Sequence, residues 1–192
     1  MNKSLSENAA THDVYVFFST SMTYPEANWF TQEYISTCVT FLSSAGLTGE
    51  AEEIRERAAA KSPDAFLEEV RIEYTRLFIN TPSSCPAPPY GSVYMESGRS
   101  LYGNSTERVL EFYRQNGFEP VAPQAVPDEL SIELEFLAML AGEGKRETEQ
   151  EFISTLFRPW FVKFRDAVTG NAEHPFYRTM VMAIDAFTGS EN

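Results

Sequence analysis

The stretch VPDELSIELEF, residues 126–136, holds four acidic side chains that could do chemistry: Asp128, Glu129, Glu133 and Glu135. Paired carboxylates can act as acid and base in hydrolysis, or they can bind a cationic group. On a helix, Glu129 and Glu133 share one face because they are four residues apart, and they repel each other by roughly a few tenths of a kcal/mol. Solvent, an arginine of this chain or a basic ligand could relieve that repulsion, and the sequence leaves all three possibilities open.

The other reactive residue types form no recognisable site. His12 and His174 are far apart, and neither stands at metal-ligand spacing from Cys38 or Cys85. His174 precedes Pro175, a pattern typical of the start of a helix. The sequence also contains no GxSxG, Walker A or GxGxxG motif. We therefore predict no metal, no cofactor and no enzymatic activity.

Residues 80–91 form a predicted loop in which prolines at positions 82, 86, 88 and 89 exclude a helix. A loop of this length in a compact protein is usually functional, and its prolines favour an ordered, extended course. The loop leads into Pro89, Tyr90, Gly91 and Ser92. An aromatic and proline surface beside an acidic helix start is suited to a peptide with apolar and arginine side chains.

Tyr74, Leu77 and Phe78 lie on the broad apolar face of the helix that leads into this loop. Apolar residues at this spacing usually belong to a hydrophobic core. Their position next to the loop also makes them candidates for the same peptide-binding surface. Both interpretations remain open from the sequence.

Apolar residues recur at helical spacing along almost the whole chain. Ser62 and Pro63 predict a helix start, Asp128 suits the N-cap of the helix that follows it, and Pro159 is expected to interrupt a later helix. We predict an all-α fold, a single globular helical domain over residues 1–192 with roughly eight to ten helices and proline-rich loops. The polar residues from 1 to about 12 are expected to form a tail.

The chain is strongly acidic, with 28 Asp and Glu residues against 15 Lys and Arg and a net charge of −13. This charge excludes nucleic acid and anionic membranes as preferred partners, and it attracts basic peptides. No apolar stretch is long enough to cross a bilayer, the N-terminus lacks a signal-peptide apolar region, and the two cysteines form no disulfide framework. We predict a cytoplasmic protein without stable membrane insertion.

Three segments together resemble the TorD/DmsD family of redox-enzyme maturation chaperones: EYTRLFIN, PAPPYGSVYME and VPDELSIELEFLAML. The segment HPFYRTMVMAIDAF is similar to the last helix of that family, and the resemblance extends from about Tyr15 to Phe187. It implies an all-α cytoplasmic protein that binds the twin-arginine signal peptide and the apo form of a molybdenum-cofactor oxidoreductase.

The resemblance also implies which residues bind the peptide. The family commonly has Trp where this chain has Tyr90, and Asp-His where it has Asp128–Glu129. The first change keeps an amphipathic ring, and the second replaces a titratable imidazole with a carboxylate and favours cation binding. Tyr74 and Glu133 are added because of their position beside these motifs. The full set of predicted peptide-binding residues is Tyr74, Leu77, Phe78, Pro89, Tyr90, Gly91, Ser92, Asp128, Glu129 and Glu133.

The first hypothesis is a chaperone for one exported molybdoenzyme, whose partners are the apo catalytic subunit and its signal peptide. The second is a chaperone for a membrane-bound nitrate reductase-like enzyme. A third, from another class, is a small α-helical hydrolase that uses paired carboxylates. The chain is expected to work as a monomer or as a domain-swapped dimer. Some family members bind guanine nucleotides, but no phosphate-binding loop predicts that here.

Overall fold

The structure, a computed structural model, describes residues 2–79, 85–120 and 125–189, with side chains from residue 6 onward. These residues are all-α, as predicted, and their β structure is limited to one isolated bridge. None of the described helices is both long and apolar enough to cross a bilayer. The α-helices are α1 (Asn2–Ser21), α2 (Gln32–Ser44), α3 (Thr48–Ala59), α4 (Pro63–Tyr74), α5 (Gly91–Met95), α6 (Asn104–Gln115), α7 (Leu130–Gly142), α8 (Arg146–Phe152), α9 (Arg158–Asn171) and α10 (Pro175–Gly189), and π-helical turns follow α4 (Thr75–Ile79) and α8 (Ile153–Phe157).

The chain divides into two compact units, each made of two segments. Unit 1 comprises Met1–Thr23 and Pro89–Phe164, and unit 2 comprises Tyr24–Pro88 and Arg165–Asn192. The predicted peptide-binding residues therefore fall in both units. Those in the helix before the proline loop belong to unit 2, and those from Pro89 onward belong to unit 1.

The core of unit 1 is built around α7, which is buried on almost every side and packs along α1. The hydroxyl of Ser19 donates to the Ser131 carbonyl at 2.9 Å, and His12 Nδ1 lies 2.8 Å from the Ala138 carbonyl oxygen. These contacts join the N-terminal helix to α7. The prediction of a polar tail up to about residue 12 is wrong for the described residues, because α1 begins at Asn2 and His12 contacts α7.

The core of unit 2 is formed by α2, α3, α4 and α10 together with their aromatic side chains. As predicted, Ser62 caps α4, accepting a hydrogen bond from the Ala65 amide at 3.3 Å, and Pro63 is the first helical residue. The last helix begins at Pro175, also as predicted. The ring of Phe30 packs against the rings of Phe66 and Phe176 inside this unit.

Pro159 does not interrupt its helix, contrary to the sequence prediction. Helix α8, the π turn Ile153–Phe157 and α9 follow one another without a break, and Pro159 is the second residue of α9. A proline ring normally clashes with the carbonyl four residues earlier, here that of Thr155. That carbonyl lies inside the π turn, whose wider spacing accommodates the ring and its missing amide.

Candidate functional site

Two of the sequence motifs meet in unit 1 through a short antiparallel contact. The Gly91 amide donates to the Asp128 carbonyl at 2.8 Å, and the Leu130 amide donates to the Pro89 carbonyl at 2.9 Å. Tyr90 and Glu129 form the isolated β-bridge between these bonds. The backbone thus fixes the end of the proline loop against the start of α7.

Asp128 is buried beneath this contact and binds two donors from other parts of unit 1. Its Oδ2 accepts a hydrogen bond from the Ser92 amide at 2.5 Å and another from the Thr106 hydroxyl at 3.1 Å. The N-cap position of α7 belongs instead to Glu129, whose side chain makes no capping bond. The prediction that Asp128 caps α7 is therefore wrong, because its carboxylate is engaged by α5 and α6.

Glu133 is also fully buried, on the first turn of α7. Its Oε2 accepts a hydrogen bond from the Trp160 indole at 3.0 Å. Burial raises the pKa of Glu133 well above its ordinary value, the nearby charge of Asp128 raises it further, and the Trp160 bond opposes both effects. The predicted pairing with Glu129 on one helix face does not occur, because Glu129 precedes the helix and is only half-buried.

A small cavity is lined by both of these residues. Asp128 Oδ1 and Glu133 Oε1 are each buried without a hydrogen bond to a described residue. The cavity is lined in part by Asp128, Glu133 and Trp160, and it leaves about 10 Å³ for the centre of a water molecule. That is space for one water, which could satisfy two of the orphaned oxygens.

Gly91 is required at this site because the backbone passes close to the Trp160 ring. A Cβ atom at residue 91 would lie 3.2 Å from both Cδ1 and Nε1 of Trp160. Such a contact would force the indole to move, and the indole is the donor that holds Glu133. This is a packing role for Gly91, and its contact with a peptide stays a prediction.

Glu129 and Tyr90 form the more exposed part of the site. Both side chains are partly exposed, and the Ser131 hydroxyl donates to Glu129 Oε1 at 3.3 Å. Burial raises the pKa of Glu129, the bond from Ser131 opposes that rise, and the charges of Glu135 and Asp128 add to it. Pro89 is buried beside them.

The described part of the chain shows no cluster of three or more His, Cys, Asp or Glu residues that could hold a metal ion. The family model described as the nitrate reductase delta subunit matches residues 40–166, more than half of the chain. The chain belongs to the TorD/DmsD family of redox-enzyme maturation chaperones. The resemblance predicted from the sequence is therefore confirmed.

Curated relatives within this family are named Tat proofreading chaperone DmsD. The protein from Salmonella typhimurium is 36% identical over 109 residues, and that from Salmonella typhi is 32% identical over 108 residues. Each alignment covers 56% of this chain and 52% of the relative, so the chain matches about half the length of these proteins.

A solved structure from Archaeoglobus fulgidus, of a protein assigned to redox enzyme maturation, has the same fold. Its sequence is 30% identical to this chain, and the superposition covers 93% of this chain and 94% of the other. The TM-score is 0.64.

Tyr74, Leu77 and Phe78, the remaining candidates of this TorD/DmsD protein, are buried in unit 2. The rings of Tyr74 and Phe78 pack edge-on against Tyr177, and the Leu77 carbonyl accepts a bond from the Ala87 amide at 3.1 Å. These contacts belong to the core of unit 2. A direct contact of these three side chains with a peptide stays a prediction, and residues 80–84 of the loop lie outside the described ranges.

Sequence reasoning missed three residues of this candidate site: Thr106, Arg108 and Trp160. Trp160 stands in an apolar run, which predicts a residue of the hydrophobic core. The only available signal was general: a buried indole N–H usually has a hydrogen-bond acceptor. Thr106 and Arg108 lie on α6 with no local pattern that connects them to Asp128. Their role depends on how α6 packs within unit 1.

Proposed function

We propose that this protein is a cytoplasmic chaperone that binds the twin-arginine signal peptide of a molybdenum-cofactor oxidoreductase and holds the apo enzyme before export. Membership of the TorD/DmsD family supports the general role. The observation that carries the finer proposal is a pair of buried carboxyl groups that line one cavity and each keep an unpartnered oxygen. The function needs no catalytic group, because its product is a protected client.

The chemistry of this cavity favours arginine over lysine. Asp128 Oδ1 and Glu133 Oε1 are two separate acceptors without donors. The cavity has space for one water, so entry of a cationic side chain requires the lining side chains to move apart. A guanidinium carries five N–H donors in a planar fork and could then bond to both oxygens, whereas an ammonium is a compact point charge. The incoming positive charge would also favour ionisation of Glu133, whose pKa is raised by burial in the free protein.

The surroundings of the cavity suit the rest of such a peptide. The net charge of −13 would speed the approach of a basic segment. Tyr90 and Glu129, both partly exposed, offer a ring and a carboxylate next to the cavity-lining Asp128. The backbone bonds that join Pro89–Gly91 to Asp128–Leu130 hold these groups in place, so binding orders little of the protein.

Calorimetric titration of the full chain with synthetic peptides tests this proposal. A peptide with two adjacent arginines should bind about tenfold or more tightly than the same peptide with two lysines, because lysine cannot bridge both carboxyl groups. The Arg114→Gln protein, changed on the outer surface of α6, should show the same preference. Equal affinity for the two peptides would contradict the proposed arginine site.

A second candidate client is a nitrate reductase-like catalytic subunit without an exported signal. The match to the nitrate reductase delta subunit family favours it. In this case the protein should co-purify with the apo subunit whether or not Asp128 and Glu133 are changed to Asn and Gln. Loss of co-purification in that double variant would instead favour recognition through the carboxylate cavity.

A further inference from the structure

An open groove of about 620 Å³ lies in unit 1, between α6 and the segment that runs from α8 into its π turn. Phe112 and Leu156 are half-buried apolar residues of its lining. The ring of Phe112 packs against those of Phe136 and Phe152, with centroids 6.0 and 5.4 Å apart, so the core of unit 1 holds it in place. The groove therefore offers a fixed apolar surface that is open to solvent.

The charged part of the lining is mainly acidic. Glu107, Glu111 and Glu151 have exposed side chains there, against one basic residue, Arg108. Glu107 and Glu111 lie four residues apart on α6, where like charges repel each other. Within the described ranges these three glutamates take part in no ion pair, and Glu111 accepts a hydrogen bond from Gln115 Nε2 at 3.0 Å.

Acidic helix faces in unit 2 are neutralised by basic residues of the same unit. Glu69 pairs with Arg57 and Lys61, at 3.1 and 2.8 Å, and Glu53 pairs with Arg178 at 2.7 Å. The groove glutamates differ, because they flank partly exposed apolar side chains and have no basic partner in the part of the chain that the structure describes. A partner that supplies cationic and apolar side chains together would complement both features.

We propose that this groove is a docking site for a basic amphipathic helix of a partner protein. The apolar face of that helix packs on Phe112 and Leu156, and its basic side chains pair with Glu107, Glu111 and Glu151. A helix fits because its own residues four apart are separated by about 6 Å along the axis, the same step that separates Glu107 from Glu111 on α6. The site is open and takes lysine as well as arginine, so it does not rest on the proposed arginine site.

Charge argues against other occupants of the groove. A second copy of this chain carries a net charge of −13, and its approach to an acidic groove is opposed by repulsion. An anionic ligand would meet three carboxylates and one guanidinium. A purely apolar helix would cover the glutamates without giving them a partner, which costs desolvation free energy.

Fluorescence anisotropy of a labelled synthetic helix tests the proposal with the full-length protein. The probe is a capped peptide of Ala, Leu and Lys, with Leu on one helix face and Lys residues four apart on both sides of that face. The wild type should bind it at least about tenfold more tightly than a peptide of the same composition in scrambled order, because only the ordered sequence places Leu and Lys on adjoining faces. Equal affinity for the two peptides, or no binding of the ordered one, would overturn the proposal.

Two double variants locate the charge that matters. Glu107→Gln with Glu111→Gln should weaken binding of the ordered probe at least about fivefold. The matched control, Glu119→Gln with Glu147→Gln, removes the same charge from exposed residues of unit 1 outside the groove and should change binding by less than about twofold. Circular dichroism establishes that the helices of both variants are intact. Equal losses in the two variants would show general attraction to an acidic protein and would overturn the proposal.

Carbodiimide cross-linking shows where the probe lies, because it joins lysine amines to carboxylates in contact with them. Mass spectrometry of the cross-linked wild type should find the probe joined mainly to Glu107, Glu111 and Glu151. Cross-links mainly to Glu119, Glu147 or other acids outside the groove would contradict the assignment.

Failure of this proposal is distinguishable from failure of the proposed function. The probe contains no arginine, so its binding does not depend on whether the protein prefers arginine peptides to lysine peptides. Sedimentation of the wild type and of Glu107→Gln with Glu111→Gln, at equal concentration, should give the same species for both. A dimer formed by the wild type alone would assign the groove to a second copy of the chain and overturn the proposal.

Discussion

Two buried glutamates, Glu73 in unit 2 and Glu133 in unit 1, are supported in opposite ways. Glu73 accepts two bonds from Arg76, at 2.8 and 2.9 Å, and one each from the amides of Glu173 and His174, at 2.7 and 3.0 Å. Burial acts to raise the pKa of Glu73, but these bonds from Arg76, His174 and Glu173 outweigh it and lower the pKa. Glu133 has one bond, and its pKa is raised.

Under the proposed function, the difference separates a structural carboxylate from one that is available to a ligand. Glu73 has every donor that it needs and ties the start of α10 to α4. Glu133 and its neighbour Asp128 each keep one oxygen without a hydrogen bond to a described residue, which costs stability.

The largest effect should come from Glu73→Gln. The side-chain NH2 group of glutamine is a hydrogen-bond donor, whereas the carboxylate oxygen that it replaces is an acceptor. It would face Arg76 or the backbone amides of Glu173 and His174, which are also donors. We expect a loss of about 2–4 kcal/mol in the free energy of unfolding, measured by urea titration at pH 7. Peptide affinity per folded molecule should not change. A loss below about 1 kcal/mol would remove the contrast between the two glutamates.

The next effect concerns Tyr90, which borders the site in unit 1. Tyr90→Ala should weaken peptide binding by about 1–3 kcal/mol and change the free energy of unfolding little, if the ring anchors the peptide. Tyr90→Phe, which keeps the ring, is the matched control and should retain most of the affinity. Normal binding together with an early unfolding midpoint would instead make Tyr90 a packing residue.

Glu133→Gln makes the same chemical change as Glu73→Gln in the opposite environment. Because burial favours the neutral acid at residue 133, an amide of similar shape should lower the free energy of unfolding at pH 7 by no more than about 1 kcal/mol. Affinity for the twin-arginine peptide should fall about tenfold. A destabilisation as large as that of Glu73→Gln would show that Glu133 is a structural carboxylate as well.

The smallest effect is a difference in pH dependence. The folded protein retains a proton on Glu133 that the unfolded chain loses near the ordinary pKa of 4.5, so this group stabilises most below that pH. Its contribution is lost as the pH rises toward the raised folded pKa, with a slope of at most about 1.4 kcal/mol per pH unit. Glu73, with a lowered pKa, stabilises above 4.5 and loses its contribution as the pH falls.

Urea titrations from about pH 5 to 8 measure this difference. Glu133→Gln should lose less stability with rising pH than the wild type, since the other carboxyl groups with raised pKa values are common to both proteins. Parallel curves for the two proteins would mean that Glu133 has the same pKa folded and unfolded.

Local signals in the sequence predicted much of the fold. Ser62 and Pro63 start α4, and α10 begins at Pro175, because caps, prolines and apolar stripes act within one or two turns. The all-α class follows from the same periodicity. Pro159 misled the prediction, since a π turn is not encoded in the spacing of apolar residues.

The site was less predictable, because its contacts join distant parts of the chain. The motifs around Tyr90 and Asp128 were identified, but the backbone bonds between them have no local signature. On α7 almost every side chain is buried, so helical periodicity could not tell that Glu133 faces inward. Its bond to Trp160 depends on the packing of α9 in unit 1.

The central claim is that Asp128 and Glu133 bind the arginines of the peptide, and a double-mutant cycle by calorimetry tests it directly. One side of the cycle replaces both peptide arginines with glutamine, and the other combines Asp128→Asn with Glu133→Gln. Glu73→Gln is the matched control, and the affinity lost by replacing the peptide arginines should be the same in this variant as in the wild type. We predict that the losses in the Asp128 and Glu133 cycle are clearly less than additive, because both changes remove one interaction. Full additivity would contradict the claim and show that the arginines are bound elsewhere.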